Sequence, residues 1–319
     1  MNTTAFKHLY LIDGSGYIFR AFFALPPMTR PDGTPVNAVF GFTKMLMKLV
    51  DDSDADALAV IFDKGRRSFR NDIYPDYKAH RPEAPEELIP QFELIRDATR
   101  ACNLPCIEME GYEADDLIAS YARAAHAAGT AVTVVSSDKD LMQLVNEGIT
   151  MLDPMKNRSI GRAEVIEKFG VPPEKVIDVQ ALAGDSTDNV PGVPGIGIKT
   201  AAQLIEEYGD LDSLLERAGE IKQPKRREKL QENAEMARVS RELVTLKQDV
   251  PLPEPLSGFA VKEPDPDTLK AFLEENGFKS IMAQLAGKLG GEAPVPEPTS
   301  AAEAGYELVQ DAAALERWV

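Results

Sequence analysis

Three short apolar runs in the first half of this chain each stop at an aspartate. Leu9-Tyr10-Leu11-Ile12 stops at Asp13, and Ala57 to Phe62 (ALAVIF) stops at Asp63. Thr130 to Ser136 (TAVTVVS) delivers Asp138 and Asp140 just beyond its end. Runs this compact, with little alternation, read as strands buried on both faces. Between them lie stretches of helical spacing. Val36 to Val50 carries apolar residues at 36, 39, 40, 46, 49 and 50, a helix is expected from about Glu86 to Ala101, and Leu104 to Ile107 reads as a short strand. Glu113-Ala114-Asp115-Asp116 opens a further helix whose buried stripe is Leu117, Ile118, Tyr121 and Ala125. Strands alternating with helices predict an α/β fold, a mostly parallel sheet flanked by helices with right-handed crossovers. In such sheets ligands sit outside the carboxyl ends of the strands, where the strand order switches.

One aspartate at a strand end is routine, as a turn former or helix cap. Three of them, with Glu113, Asp115 and Asp116 at a helix start, are more than capping requires. Crowded carboxylates repel, so such a pocket is costly unless cations enter it. His8, His80 and His126 are scattered, and Cys102 and Cys106 have no partner pair, which argues against a zinc site of nitrogen and sulfur ligands. A metal here is held by oxygen, which favours Mg²⁺ or Mn²⁺.

After Gly170 the texture changes to helices with proline-marked joints, expected near Glu174–Ala183, Leu211–Ala218, Glu228–Thr245 and Pro266–Asn276. Within this half lies GDSTDNVPGVPGIGIKTA, Gly184 to Ala201. Its front offers Asp185 and Asp188, three residues apart. Its back is a glycine-paced turn through Gly192, Gly195 and Gly197, opening into a helix with Leu204, Ile205 and Tyr208. Glycines before a helix let a phosphate approach the first free N–H groups, where the helix dipole also favours an anion. An ordinary helical corner with solvated aspartates is an equal reading of this segment alone. From Leu285 to Ala304 the composition thins to Gly, Pro, Glu, Ala and Ser, as in a linker. Tyr306 to Val309 is then strand-like, and Ala312 to Val319 begins an amphipathic helix, as if a further domain started there. The expected division is 1–170, 171–285, a linker over 286–304, and 305–319.

The formal net charge is −17, yet charge is segregated. Lys64, Arg66, Arg67, Arg70, Lys78 and Arg81 face only Asp72 and Asp76 in their stretch, interleaved with Phe69, Tyr74 and Tyr77, and Lys222 to Lys229 (KQPKRREK) is a second basic island. Such islands can bind phosphates on an acidic protein, although each alone also fits a solvated surface. No apolar run is long enough for a membrane span and no signal-peptide pattern opens the sequence, so a cytoplasmic protein is expected.

Taken together, LIDGS with Asp13, FDKGRRSFR with Asp63, YKAHR with Lys78 and Arg81, GYEADD, SSDKD and GDSTDNVPGVPGIGIKTA resemble the flap endonuclease family. The likeness is to its 5′-nuclease form at the N-terminus of bacterial DNA polymerase I, and it covers residues 1 to about 285. It implies an α/β core with a helical arch over about 64–100, and an all-helical helix-hairpin-helix subdomain gripping duplex DNA. It implies hydrolysis at 5′ flaps and 5′ ends with two Mg²⁺ or Mn²⁺ ions. By that likeness Asp13, Asp63, Glu113 and Asp115 surround one ion, Asp138, Asp140, Asp185 and Asp188 the other, with Asp116 between. Lys78 and Arg81 would neutralise the scissile phosphate, with Arg20 at the close of the first helix facing it too. Tyr77 would stack on a terminal base or pack within the arch, two equal readings. Gly192, Gly195, Gly197, Lys199 and Thr200 would meet the DNA backbone, and the turn would hold K⁺ through the carbonyls of Val193 and Ile196. The partner implied is branched or nicked DNA, bound by a monomer that continues into proofreading-like and polymerase domains. Two other readings are a strand-end D-x-D phosphatase, from Asp138-Lys139-Asp140, and a non-catalytic DNA-structure-binding module.

Overall fold

A computed structural model describes residues 6–288. Its sheet is built from β1 (His8–Asp13), β2 (Ala57–Ile61), β3 (Cys106–Ile107), β4 (Ala131–Val135), β5 (Ile149–Asp153) and β6 (Arg158–Ile160). The strand order is β3-β2-β1-β4-β5-β6, all parallel except the final β5–β6 pair. The chain leaves β1 toward β2 and β3, then crosses back to place β4 on the other side of β1. The switch in order therefore falls between β1 and β4, the position where open parallel sheets take ligands. Register fixes which residues emerge there. Asp13 pairs with Ile61, and Ile12 with Val135, so Asp13, Asp63 and the 136–140 segment leave the same edge.

The helices are α1 (Gly14–Ala24), α2 (Asn37–Asp52), α3 (Arg70–Ile73), α4 (Gln91–Ala101), α5 (Ala114–Ala127), α6 (Arg162–Phe169) and α7 (Val176–Ala183). They continue as α8 (Ile198–Tyr208), α9 (Leu211–Glu216), α10 (Pro224–Glu232), α11 (Ala234–Val244), α12 (Pro266–Glu275) and α13 (Lys279–Lys288). Leu117, Ile118, Tyr121 and Ala125 of α5 share one buried cluster with Leu9, Leu11, Ala57, Ala59, Ile61, Val132 and Val134. That is one helical stripe laid on alternate residues of three strands. α1 packs on α2, and α2 on α4, while α7 packs against α8 and α11. Residues up to Gly277 form one compact unit, and α13 belongs to a second. No described helix is long and apolar enough to cross a membrane.

Four expectations differ from this fold. The β5–β6 hairpin and α6 have no counterpart in the sequence reading, and the run expected over 228–245 is two helices, α10 and α11, divided at Asn233. α1 runs on to Ala24, so Arg20 lies inside the helix and does not close it. In the stretch assigned to a helical arch, only the four residues of α3 are helical before α4 begins at Gln91, and α4 packs on α2. Pro75, Pro82, Pro85 and Pro90 lack the N–H a continuous helix needs there. The strand-like and helical stretches expected over 305–319 lie outside the described residues.

Candidate active site

Asp13 and Asp63 each accept one backbone N–H and one serine hydroxyl. Asp13 caps α1, accepting the Gly16 N–H at 3.2 Å on one oxygen and the Ser136 hydroxyl at 2.8 Å on the other. Asp63 accepts the Ala114 N–H at 2.9 Å, at the first residue of α5, and the Ser15 hydroxyl at 2.8 Å. The capping role open in the sequence is thus real, and it also binds the strand ends to α1 and α5. Asp115, half-buried, has no hydrogen-bond donor among the described residues. Burial, and then the charges of Asp138 and Asp13, push it well above the ordinary carboxylate range. Burial likewise raises Asp13 to about 6, with the Asp63 charge adding to it against the Ser136 hydrogen bond. Asp140 is raised to about 6 by burial and the charge of Asp138, against Lys139 and Gln180.

The second half of the site is the loop after α7. Gly184 and Gly192, at φ +67° and +61°, pass so closely that a Cβ on Gly192 would lie 2.5 Å from the Gly184 nitrogen. Asp185 and Val190 exchange two backbone hydrogen bonds, of 2.9 and 2.7 Å, which closes the loop carrying Asp185 and Asp188. Asp185 accepts the Thr187 N–H at 2.7 Å and pairs with Lys139. Burial opposes its charge, but Lys139 prevails and holds its carboxyl below the ordinary value.

The segment 74–81 docks onto that loop. The Lys78 N–H donates to the Asp188 carbonyl at 2.9 Å, and the Asn189 amide donates to the Asp76 carbonyl at 2.7 Å. Lys78 takes φ +56°, a left-handed conformation unusual for a side chain with a Cβ. Its ammonium lies 2.9 Å from Glu113 and 3.6 Å from Asp188, and Arg81 pairs with the other oxygen of Asp188. The Tyr77 hydroxyl reaches Glu113 at 3.2 Å and Asp188 at 3.3 Å. Its ring is buried, 5% exposed, so in this conformation it packs within the site and offers no face to a base. Arg20 donates to the Pro154 carbonyl at 3.0 Å and has no contact with the acids.

Asp116 stands apart from the other acids. It is fully buried, and both its oxygens are taken by Arg70, at 2.7 and 2.8 Å, in a forked pair. It also accepts the N–H groups of Glu113 at 3.1 Å and Lys247 at 2.9 Å. These four hydrogen bonds, from three residues, make it a structural anchor of α5 and leave it no position facing an ion. Arg70 itself, 1% exposed, further reaches Glu113 and the carbonyls of Leu243 and Thr245. It ties α3, the start of α5 and the end of α11 together. Sequence reading placed Arg70 only in a basic island and missed Ser15, Ser136, Lys139 and Gln180. Serines and a lone glutamine carry no spacing signal of their own.

In the turn, Gly192 is buried, donates to the Ser240 hydroxyl at 2.9 Å and faces Gly184, away from any surface a strand could reach. Gly195 (φ +83°), Gly197 and Lys199 are exposed, Thr200 is half-buried, and Gly197 is the N-cap of α8. The Val193 carbonyl accepts the Ile196 N–H at 3.0 Å.

The donor set is all carboxylate, hard oxygen of the kind Mg²⁺ and Mn²⁺ take. Among the described residues no three acidic, histidine or cysteine side chains close on one point as they stand. Lys78 pairs instead with Glu113, Arg81 with Asp188, and Lys139 with Asp185 and Asp140. The residues fit divalent ions by chemistry and by the concentration of negative charge.

An α/β sheet with carboxylates at its switch point, followed by a helical half that adds a loop of further acids, defines a hydrolase-like class of site. A family model described as the 5′-3′ exonuclease N-terminal resolvase-like domain matches residues 8–170. A second, described as the 5′-3′ exonuclease C-terminal SAM fold, matches residues 171–267. The chain belongs to the 5′-3′ exonuclease family and is a 5′ nuclease. It is 58% identical over 299 residues to a DNA polymerase I of Rhizobium leguminosarum, covering 91% of this chain and 29% of that protein. It is 38% identical over 279 residues to a 5′-3′ exonuclease of Aquifex aeolicus, covering 88% of this chain and 95% of that one. The fold matches a T5 5′-exonuclease solved with zinc (TM-score 0.65, 24% identity, 85% of this chain and 98% of that chain). It also matches the catalytic core of Rad2 solved with DNA substrate (TM-score 0.58, 17% identity, 84% of this chain and 86% of that chain).

Proposed function

We propose that this chain hydrolyses phosphodiester bonds of DNA at 5′ flaps and 5′ ends, using two divalent ions held by the strand-end acids. The observation that supports the reading is that Asp13, Asp63, Glu113, Asp115, Asp138, Asp140, Asp185 and Asp188 lie at three strand ends, one helix start and one glycine-closed loop, where the charges of Asp138, Asp13 and Asp63 act on Asp115 and those of Asp138 and Asp188 act on Asp140. Asp13, Asp63, Glu113 and Asp115 would hold one ion, and Asp138, Asp140, Asp185 and Asp188 the other. When bound, the pair would supply an activated water and stabilise the attacking and leaving oxygens of an in-line displacement. The protein's own contribution is to fix the acids and to surround the reacting phosphate with cations. Lys78 pairs with Glu113 and Arg81 with Asp188, and exchanging a carboxylate for a phosphate oxygen would keep their charge paired. Tyr77 holds Glu113 and Asp188 in place from behind.

Gly195, Gly197, Lys199 and Thr200 form an exposed turn and helix start suited to the sugar-phosphate backbone, which carries shape and no sequence information. A potassium ion at the carbonyls of Val193 and Ile196 belongs to the same proposal. The Rad2 core solved with DNA, and the T5 enzyme solved with divalent ions, support partners and cofactors of these kinds. The polymerase relatives support a chain that continues into further domains in its parent protein.

The test is to map products from a 5′-labelled flap duplex in Mg²⁺ and in EDTA, with a small phosphate monoester in parallel. Cleavage near the flap junction, dependent on Mg²⁺ and leaving a 5′-phosphate and 3′-hydroxyl, is expected. Faster turnover of the monoester would favour a D-x-D phosphatase, and tight flap binding without cleavage a non-catalytic module.

A further inference from the structure

Gln180 lies on α7, one turn before Gly184, and its side chain is buried at 2% exposure. Its amide nitrogen donates to an Asp140 oxygen at 2.5 Å. Its amide oxygen is a buried side-chain atom without a hydrogen-bond partner, and among the described residues no other such atom is found. Exchanging the two amide atoms would set an oxygen against the Asp140 carboxylate, so the network fixes the orientation. A buried acceptor left unpaired is costly, so its retention calls for a donor.

The surrounding groups do not provide one. Ionised Asp138, Asp140, Asp185 and Asp188 only accept hydrogen bonds. Lys139 is spent on Asp185 and Asp140, and the Gln143 amide nitrogen donates to the carbonyls of Asp140 and Val244. A hydrated divalent cation would supply what is missing. Mg²⁺ keeps several of its waters, and each turns its hydrogens outward toward acceptors in the next layer. The Gln180 oxygen is the other arm of the amide whose nitrogen holds Asp140, one of the acids assigned to that ion.

We propose that Gln180 is a positioning residue for the ion among Asp138, Asp140, Asp185 and Asp188. Its nitrogen orients Asp140, and its oxygen accepts a hydrogen bond from a water of that ion. This rests on the two-ion reading above.

The experiment measures Mn²⁺ binding to the DNA-free protein by electron paramagnetic resonance, together with the melting temperature in EDTA, for the wild type, Gln180→Met and Gln180→Leu. Both variants keep the bulk and remove the hydrogen bonds. One Mn²⁺ should bind about 10–100-fold more weakly in each, with the melting temperature in EDTA unchanged or higher. A purely structural glutamine would instead lower the melting temperature in EDTA and leave Mn²⁺ affinity within twofold of wild type, which overturns the assignment. If one variant fails to fold, the other decides. Absence of Mn²⁺ binding to the wild type would instead remove the two-ion reading itself.

Discussion

At the scale of single residues, burial decides which acids are ordinary and which are not. Asp13 and Asp140, raised from 3.8 to about 6, bind protons more tightly folded than unfolded. Their contribution to stability is complete below about 4 and is lost as pH rises through about 6. Asp185 works in the opposite direction, but its effect is lost only as pH falls below the ordinary carboxylate range. In EDTA the protein should therefore melt at a higher temperature near pH 5 than near pH 7.5, and Mg²⁺ should reverse the order. Thermal scans that are flat or rising between those values in EDTA would contradict this. Asp116 makes a second case. Asp116→Ala strands the Arg70 guanidinium in the interior and should cost about 3–5 kcal/mol in denaturant unfolding. Asp63→Ala should cost far less, since it leaves no buried cation unpaired. Equal losses would put Asp116 back among the ion-facing acids. The sequence presents Asp116 as one more acid of the Glu113–Asp116 cluster, because its partner lies 46 positions away among several arginines.

At the scale of elements, the readable parts were those whose pattern is complete within themselves. β1, β2, β4 and the α5 stripe follow from uninterrupted apolar runs and clean helical spacing. β5 alternates buried and half-buried over only five residues, and β6 has three, too few to separate from a loop. Gly192 was misread for a related reason. A glycine beside a basic turn looks the same whether it meets DNA or another backbone, and only the fold brings Gly184 against it. Gly192→Ala should lose about 2–4 kcal/mol and cleavage with it, because the Asp185–Asp188 loop cannot close. Gly195→Ala, with open space around it but φ +83°, should lose about 1 kcal/mol. Denaturant curves for the two variants give the comparison, and an inverted order would contradict the packing assigned to Gly192.

At the scale of the whole molecule, a net charge of −17 coexists with a family that acts on nucleic acid. Eight of the 52 acidic residues, those assigned to the ions, lie at the strand ends, the start of α5 and the 185–188 loop, while Lys199 stands exposed at the turn. Flap binding in Ca²⁺ should weaken steeply with salt, and Lys199→Ala should reduce the log–log slope by about 0.9, the value for one phosphate. A loss confined to some flap sequences would contradict a backbone contact. The broad order of strands, helices and acids was legible because charge clustering at strand ends is local in sequence. The internal pairing of those acids with Lys78, Arg81, Lys139 and Arg70 was not, because it joins segments that only the fold brings together. The central claim, that the strand-end acids act through bound ions and do not merely shape the protein, meets its most direct test in single-turnover cleavage. Wild type and Asp63→Ala would be compared on a labelled 5′ flap in Mg²⁺, with binding to the same flap measured in Ca²⁺. The account predicts binding within a few-fold of wild type and a cleavage rate lower by about 10³ or more. Unchanged turnover in Asp63→Ala, or cleavage that persists in EDTA, would contradict it.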